Sequence, residues 1–425
     1  MTPSLQDAAR PFSAAALTDL VPAGTRLLAL GEPTHGAEEF LDLRNELFRH
    51  LVADHGYRSI ALESDCLAAP TVDAYVGGAE GELDTVLREG LSHGFGAYAG
   101  NRELVRWMRE FNAGLGEGER LRFYGADGPL EYTGAAAPGP ALLRLHAFLA
   151  DRLPAELLPE RAELLHLCGP DERWTEPAAA LDPTRSVGRT AEAARLRLIA
   201  DELGVLLAAH RPQFAATEAV AGADATTDAG TAADALWRAE LDARTATGLL
   251  RYHAATAGDG PDRLNSLMRQ RDLMIADNLE AILRREARRG PTLAFAHNRH
   301  LQREAGRIPL GGGHQLLWWS AGSLLEARLD GGYAFLATTF GNRAPDDRPA
   351  PDTLEGLLAT LPGPRTVLDP APLAAALGEP GRVKARVPAD HTYFGLDPAE
   401  LGRVDGVVFV RDIARQQGLF GGGEA

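Results

Sequence analysis

Short apolar runs that end in polar residues are the most regular feature of the chain. Each run is rich in leucine, alanine or β-branched residues and lacks strict alternation; the six lie at residues 25–32, 57–64, 121–127, 292–297, 333–339 and 406–411. Such runs are typical of strands that are covered on both faces, as in a parallel sheet. The pattern therefore predicts six buried strands.

Helical periodicity fills most of the intervals between these runs. Apolar residues recur every three to four positions over residues 37–54, 101–113 and 265–289, and Gly56 follows the first segment as a C-terminal stop. Strands that alternate with helices in this way form a mostly parallel sheet with right-handed connections. We therefore expect an α/β fold with a mostly parallel central sheet and flanking helices.

The middle of the chain differs from both ends. Residues 136–260 show helical periodicity and almost no strand-like run, and a polar stretch of small residues at 222–231 predicts a loop within them. This pattern indicates an all-helical lobe inserted into the α/β core. The first part of the core then spans residues 1–135, and its second part spans residues 261–425.

Composition and charge narrow the classes of partner. The chain has 59 acidic and 43 basic residues and a formal net charge of −16, so its average field repels nucleic acid. The N-terminus lacks the basic and apolar segments of a signal peptide, and no apolar run reaches the roughly 20 residues of a membrane span. We expect a cytoplasmic protein that acts on a small molecule and binds neither nucleic acid nor membrane. The sequence does not fix its oligomeric state.

The predicted strands share a chemical feature at their carboxyl ends. Four of them end in, or just before, residues able to carry charge or transfer protons: Glu32 with His35, Glu63 with Asp65, Asp127, and His297 with His300. Because the carboxyl ends of parallel strands meet at one edge of a sheet, these side chains converge on one cleft. The sequence therefore predicts an active site at this edge.

The residue types in this cleft favour acid–base chemistry. The chain lacks the Gly-x-Ser-x-Gly elbow of serine hydrolases and the Gly-x₄-Gly-Lys-Ser/Thr phosphate loop. Spacing alone leaves a zinc site open, because histidine and carboxylate groups are zinc ligands. A histidine titrates near neutral pH and removes a proton from water when a carboxylate orients it. From the residues we infer a histidine base that acts on water.

Six blocks of the sequence resemble the erythromycin esterase family. Gly-Glu-Pro-Thr-His-Gly at 31–36, with Arg44 nine residues after the histidine and a strand that ends in Glu63, is similar to the opening signature of that family. The other blocks that resemble family motifs, in the same order, lie at residues 101–112, 123–127, 271–278, 296–300 and 405–410. Together they span the chain except for its helical middle.

The resemblance implies a fold, an activity and a set of site residues. It implies an α/β core with a helical lobe and the hydrolysis of a lactone ester in macrolide antibiotics such as erythromycin. It makes His35 the general base that activates water, without a covalent enzyme intermediate, a metal or another cofactor. The other catalytic residues that it implies are Glu32, Glu63, Arg44, His297 and His300.

The chain departs from the family pattern in one segment. Ala321 and Gly322 stand where the family commonly has Met-Gly, and the preceding residues 311–320 are particular to this chain. We expect Trp318 and Trp319 in that segment, together with Asp127, to bind substrate. The sequence therefore predicts a hydrolase of an ester or lactone in a bulky, macrolide-like natural product. The alternative is a biosynthetic enzyme that uses the same base for acyl transfer, cyclisation or elimination.

Overall fold

Two compact units make up the chain. A computed structural model describes residues 4–131, 134–221, 229–311, 314–344, 346–379, 381–387 and 393–414. The first unit, here the sheet unit, comprises Met1–Ser64, Ala68–Ala126 and Leu279–Ala425; the second, the helical unit, comprises Asp65–Leu67 and Asp127–Asn278. The lobe predicted at residues 136–260 lies within the longer segment of the helical unit.

The strands form one large sheet and two hairpins. Among the described residues they are β1 (Ala9–Pro11), β2 (Leu27–Glu32), β3 (Ser59–Asp65), β4 (Arg122–Asp127), β5 (Leu130–Glu131), β6 (Gly134–Ala135), β7 (Thr292–His297), β8 (Ala305–Gly311), β9 (His314–Trp319), β10 (Tyr333–Arg343), β11 (Arg365–Leu368) and β12 (Gly406–Ile413). The large sheet has the order β1-β11-β12-β10-β2-β7-β3-β4, and β5–β6 and β8–β9 are the hairpins.

The central strands of the large sheet are parallel. Strands β12, β10, β2, β7 and β3 pair in parallel, whereas β11 pairs antiparallel with both β12 and β1. This arrangement confirms the predicted fold class, and all six predicted strands are present. All six residues of β2 and all six of β7 are buried, which explains why their sequences lack alternation.

Helices account for most of the remaining chain. Those of the described residues are α1 (Leu5–Ala8), α2 (Ala14–Thr18), α3 (Glu38–Asp54), α4 (Ala69–Val76), α5 (Leu83–Gly90), α6 (Ala99–Asn112), α7 (Gly139–Ala150), α8 (Arg161–Cys168), α9 (Ala191–Ala221), α10 (Ala229–Thr256), α11 (Arg263–Glu286), α12 (Asn298–Leu301), α13 (Ala321–Leu329), α14 (Leu354–Leu358) and α15 (Pro370–Leu377). Within the described part of the chain, no helix combines the length and the apolar character that a membrane span requires.

The helical unit has an apolar core of its own. Helices α7, α8, α9 and α10 contribute buried leucines and isoleucines to it, among them Leu142, Leu164, Leu196 and Leu250. Their spacing of three to four residues within each helix is the signal that predicted this region to be helical. The loop predicted at 222–231 falls mostly outside the described residues, and α10 begins at Ala229.

Candidate active site

A short hydrogen bond joins His35 to Glu32 at the carboxyl end of β2. The Nδ1 atom of His35 lies 2.6 Å from Oε1 of Glu32. An ionised carboxylate only accepts hydrogen bonds, so Nδ1 carries the proton and Nε2 is the basic nitrogen of the neutral ring. The His35 side chain is 18% exposed and that of Glu32 only 5%, so a ligand reaches the imidazole more readily than the carboxylate.

A second buried carboxylate, Glu63 at the end of β3, joins all three histidines. Its Oε1 atom lies 3.7 Å from Nε2 of His35 and 3.3 Å from Nε2 of His300. Its Oε2 atom accepts a hydrogen bond of 2.7 Å from the backbone N–H of His297. The parallel sheet therefore does bring the ends of β2, β3 and β7 together, as the strand-end argument expects.

His297 is held in one neutral form by the main chain. Its Nε2 donates to the carbonyl oxygen of Pro33 over 3.1 Å, and its Nδ1 accepts from the backbone N–H of Arg299 over 3.1 Å. Burial, followed by the charge of His35, lowers the pKa of His297 well below its usual value. Because both ring nitrogens are engaged, His297 fixes the loop after β2 and the first turn of α12. Its ring packs edge-on against His35, at 5.2 Å between centroids.

Glu32 has one oxygen that the protein leaves without a partner. Its Oε2 atom is buried and makes no hydrogen bond to a described residue. It lines a small cavity together with Glu63, Arg44 and Tyr98. Burial raises the pKa of Glu32, whereas the hydrogen bond from His35 and the charges of His35 and Arg44 oppose that rise. The carboxylate is thus kept in a buried setting in which a positive imidazolium beside it is stabilised.

Arg44 acts on this site through its charge. The guanidinium is fully buried and donates to Asn45, to Oδ1 of Asn101 over 2.7 Å and to the carbonyl oxygen of Gly100 over 3.2 Å. Burial lowers the pKa of Arg44 to about 10, so the group stays positive at neutral pH. Its donors point to amide and carbonyl oxygens of α3 and α6, and its charge favours the ionised form of Glu32.

Two glycines of the first motif are required by close contacts. A Cβ atom on Gly31 would lie 2.1 Å from Oδ1 of Asn298, the residue after His297. Asn298 donates to the carbonyl oxygen of Thr338 over 2.8 Å and so ties α12 to β10. Gly36 has a φ of +78°, and a Cβ there would lie 2.5 Å from the hydroxyl of Tyr98. Both positions therefore exclude side chains.

The predicted substrate-binding residues have three different environments. Asp127 lies in the helical unit, fully buried, and its Oδ2 accepts two hydrogen bonds from Arg271, at 3.0 and 2.7 Å. Trp318 is buried in the β8–β9 hairpin, where its ring covers Gly306. Trp319, its neighbour on β9, is 62% exposed. Substrate binding by these three residues stays a prediction.

Three residues that border the histidines were not predicted from the sequence. Phe95 packs against His35 at 5.4 Å between ring centroids, and Phe394 packs edge-on against His297 at 5.6 Å. Asn298 fills the space above Gly31. Asn298 stands between two motif histidines, so its position in the sequence is a usable signal. The two phenylalanines follow no predicted strand and carry no such signal.

The described residues offer acid–base groups rather than an assembled metal site. Within the described ranges, no group of three or more histidine, cysteine, aspartate or glutamate side chains has an arrangement able to hold a metal ion. What the cluster does provide is a basic nitrogen on His35, two buried carboxylates and a fixed positive charge. These groups suit the transfer of one proton to and from a ligand at Nε2.

Similarity to solved structures extends over nearly the whole chain. A protein from Bacillus cereus superposes with a TM-score of 0.69 at 16% identity, with 97% of each chain covered. A succinoglycan biosynthesis protein gives a TM-score of 0.68 at 16% identity, covering 97% of this chain and 96% of the other. An erythromycin esterase mutant, EreC in its open conformation, superposes with a TM-score of 0.63 at 18% identity. The match covers 95% of this chain and 94% of the other. At these identities the likeness is one of fold.

Sequence comparison supplies the family. No curated protein matches the chain. The family described as Erythromycin esterase matches residues 52–413, a range that begins after His35 and contains Glu63, His297 and His300. This range is well over half of the 425 residues. The chain is therefore a member of the erythromycin esterase family.

Proposed function

We propose that this protein hydrolyses a carboxylic ester or lactone of a small-molecule natural product, with His35 as the general base. The observation that carries the proposal is the 2.6 Å hydrogen bond between Nδ1 of His35 and Glu32. It fixes the ring and leaves Nε2 as the proton acceptor, and it stabilises the imidazolium that forms when a proton is taken up. Family membership supports a hydrolase.

The proposed reaction needs one proton carrier and no covalent intermediate. A water molecule gives a proton to Nε2 of His35 while its oxygen attacks the carbonyl carbon of the ester. The tetrahedral intermediate collapses as the bond between that carbon and the alkoxy oxygen breaks. His35 then returns the proton to the departing oxygen, so the products are an acid and an alcohol. Glu32 stabilises the positive ring between the two transfers.

The remaining side chains have positioning roles in this proposal. Glu63 lies 3.7 Å from Nε2 of His35 and is positioned to accept a hydrogen bond from the second hydrogen of the attacking water, which stays on the product acid. His300 fixes the orientation of Glu63, because its Nε2 lies 3.3 Å from the same carboxylate oxygen. His297 holds the backbone on either side of the site, and Arg44 supplies a fixed positive charge.

Support for the proposed substrate class comes from the family and from one structural neighbour. The EreC protein is named an erythromycin esterase, which supports a macrolide-like lactone as the bulky substrate here. A second neighbour is named a succinoglycan biosynthesis protein. That name favours keeping a second candidate, in which the same base removes a proton from an alcohol and catalyses acyl transfer. Both candidates use His35 and differ in the nucleophile.

Oxygen-18 labelling separates the two candidates. The protein is incubated in H₂¹⁸O with erythromycin, related lactones and a panel of acyl esters, and the masses of the products are measured by mass spectrometry. Hydrolysis places one labelled oxygen in the product acid. A product formed without label by acyl transfer contradicts the hydrolase proposal.

Two variants test the role of His35 in the same assay. His35→Asn removes the basic nitrogen, and we expect turnover to fall at least 10²-fold, because general bases contribute about 10²- to 10⁴-fold. His166→Asn, at an exposed histidine of α8, is the matched control and keeps wild-type turnover. Full activity of His35→Asn would place the base elsewhere.

A further inference from the structure

A second pocket lies beside α12 in the sheet unit. It is open to solvent, and its cavity volume is about 40 Å³. We call it the Arg299 pocket; the residues that line it and are used below are Asn298, Arg299, Glu304, Phe394, Asp397 and Glu400. It is distinct from the small cavity beside Glu32, whose lining residues are all different.

Arg299 contributes unused hydrogen-bond donors to this pocket. It is partly buried, and its guanidinium makes no hydrogen bond or ion pair with a described residue. The guanidinium lies over the ring of Phe394, whose centroid is 5.0 Å from Cζ. Burial lowers the pKa of Arg299. A guanidinium carries five N–H donors, so the pocket holds a set of donors that the protein itself does not satisfy.

Glu400 contributes unused acceptors to the same pocket. It is partly buried, and its carboxylate makes no hydrogen bond or ion pair with a described residue, Arg299 included. Burial is the main cause that raises the pKa of Glu400. Two groups of opposite charge thus line one pocket without pairing with each other. This arrangement leaves both available to a ligand that occupies the space between them.

The neighbouring charges decide what kind of ligand fits. Asp397 accepts a hydrogen bond from the backbone of its own turn, and Glu304 pairs with Arg403 at 2.9 Å. Arg307 adds a positive charge close enough to lower the pKa of Arg299. An anion at Arg299 would therefore meet the carboxylates of Asp397 and Glu400, and a cation would meet two arginines. A neutral group that both donates and accepts hydrogen bonds is repelled by neither the carboxylates nor the arginines.

The pocket is separated from the histidine cluster by one aromatic ring. Phe394 packs against Arg299 on the pocket side and edge-on against His297 on the other side, at 5.6 Å between ring centroids.

We propose that the Arg299 pocket binds a hydroxylated group of the substrate, such as neighbouring hydroxyls of a sugar ring. Arg299 donates to a hydroxyl oxygen, and Glu400 accepts a hydrogen from a hydroxyl of the same group. That the group belongs to the ester substrate rests on the proposed function. The binding of the group does not, because it involves neither His35 nor turnover.

Saturation-transfer NMR on the wild-type chain tests the binding directly. Three inert probes of similar size are compared: methyl β-D-glucopyranoside, cyclohexanecarboxylate and cyclohexylammonium. We expect transfer to the glycoside, and at least fivefold less transfer in Arg299→Gln and in Glu400→Gln. Arg88→Gln, at an exposed arginine of α5, is the matched control and keeps the wild-type signal. Circular dichroism confirms that all variants are folded.

Each other result overturns the proposal in a recognisable way. Absence of transfer to the glycoside, or transfer that is unchanged in Arg299→Gln, removes the hydroxyl site. Carboxylate binding that depends on Arg299 makes the pocket an anion site, and ammonium binding that depends on Glu400 makes it a cation site. None of these readouts requires turnover, so failure of the hydrolase proposal in the labelling experiment leaves them interpretable.

Discussion

The histidines of the site differ in their hydrogen-bond partners. The Nδ1 atom of His35 is hydrogen-bonded to the carboxylate of Glu32 and its Nε2 lies 3.7 Å from that of Glu63, whereas His297 gives both ring nitrogens to the main chain. Their positions at strand ends predicted that both lie in one cleft, and the resemblance to the erythromycin esterase family implied that both are catalytic. Sequence position does not encode which atoms face a given ring, and that difference depends on the loop after β2 and the turn of α12.

His297 is predicted to matter for stability as well as for the site. In His297→Ala, the backbone N–H of Arg299 in α12 loses its acceptor, and the carbonyl oxygen of Pro33 keeps only its 3.4 Å hydrogen bond from the backbone N–H of Phe394. An unsatisfied buried polar group costs about 1–3 kcal/mol, so we expect the free energy of unfolding to fall by about that amount. Urea denaturation measures the change, and His166→Ala serves as the exposed control. A His297→Ala protein as stable as this control would contradict the assigned contacts.

We predict that the ionised carboxylate of Glu32 lowers the free energy of unfolding at neutral pH. Because burial raises its pKa in the folded protein, the folded state binds more protons than the unfolded state as pH rises above the usual value of 4.5. The contribution of Glu32 to stability therefore decreases with rising pH. We expect Glu32→Gln to be more stable than the wild type at pH 7.5, while turnover falls by at least tenfold.

Urea denaturation at several pH values gives the sign of this effect. The difference between Glu32→Gln and the wild type should shrink as pH falls below 4.5, where the carboxyl group is protonated in both folded and unfolded states. A variant that is less stable at pH 7.5 would show that the ionised carboxylate stabilises the fold instead.

At the scale of elements, the strands that could be predicted from the sequence are those that are buried on both faces. β2, β7 and the other central strands are buried on both faces and appear as apolar runs. β1 has three residues and β11 has four, and both lie at the antiparallel side of the sheet, so neither produces a run long enough to recognise. The β8–β9 hairpin was missed because Gly306, Arg307 and Pro309 interrupt the apolar residues of β8, and β9 begins with the polar residues His314 and Gln315.

The contact between β2 and α12 gives a prediction at this scale. Gly31→Ala places a Cβ 2.1 Å from Oδ1 of Asn298 and 3.0 Å from its Cα, so α12 has to move. Overpacking of this kind costs about 1–3 kcal/mol, and we expect the melting temperature and the turnover to fall together. Thermal unfolding followed by circular dichroism measures the melting temperature.

A glycine in open space provides the matched control. Gly204 lies within α9, and a Cβ there would meet no atom within 4 Å. Alanine has a higher helix propensity than glycine, so Gly204→Ala should raise stability by about 0.5–1 kcal/mol. Equal destabilisation by both substitutions would mean that the cost at Gly31 does not come from Asn298.

At the scale of the whole molecule, the sheet unit depends on residues from both ends of the chain. β2 lies between β7 and β10, which come after the helical unit in the sequence. The alternation of strands and helices predicted the fold class, but it contains no information on which strands are neighbours. Neighbours are set by long-range packing, which a local pattern does not report.

This topology predicts that the sheet unit forms only when the C-terminal strands are present. A chain that ends at residue 290 lacks β7, β10, β11 and β12 and therefore both neighbours of β2. We expect it to show helical circular dichroism without a cooperative unfolding transition of the sheet, whereas the full chain unfolds cooperatively. A cooperative transition of the truncated chain, with strand content like that of the full chain, would contradict the long-range pairing.

The contact between Gly31 and Asn298 also has an evolutionary consequence. Gly31 and Asn298 belong to different motifs, and the side chain of Asn298 occupies the space that a side chain at residue 31 would need. A change at either position therefore lowers fitness until the other changes too, so the two should covary among homologues. A homologue that retains one motif and has lost the other has also lost the close contact between the end of β2 and the histidine turn of α12.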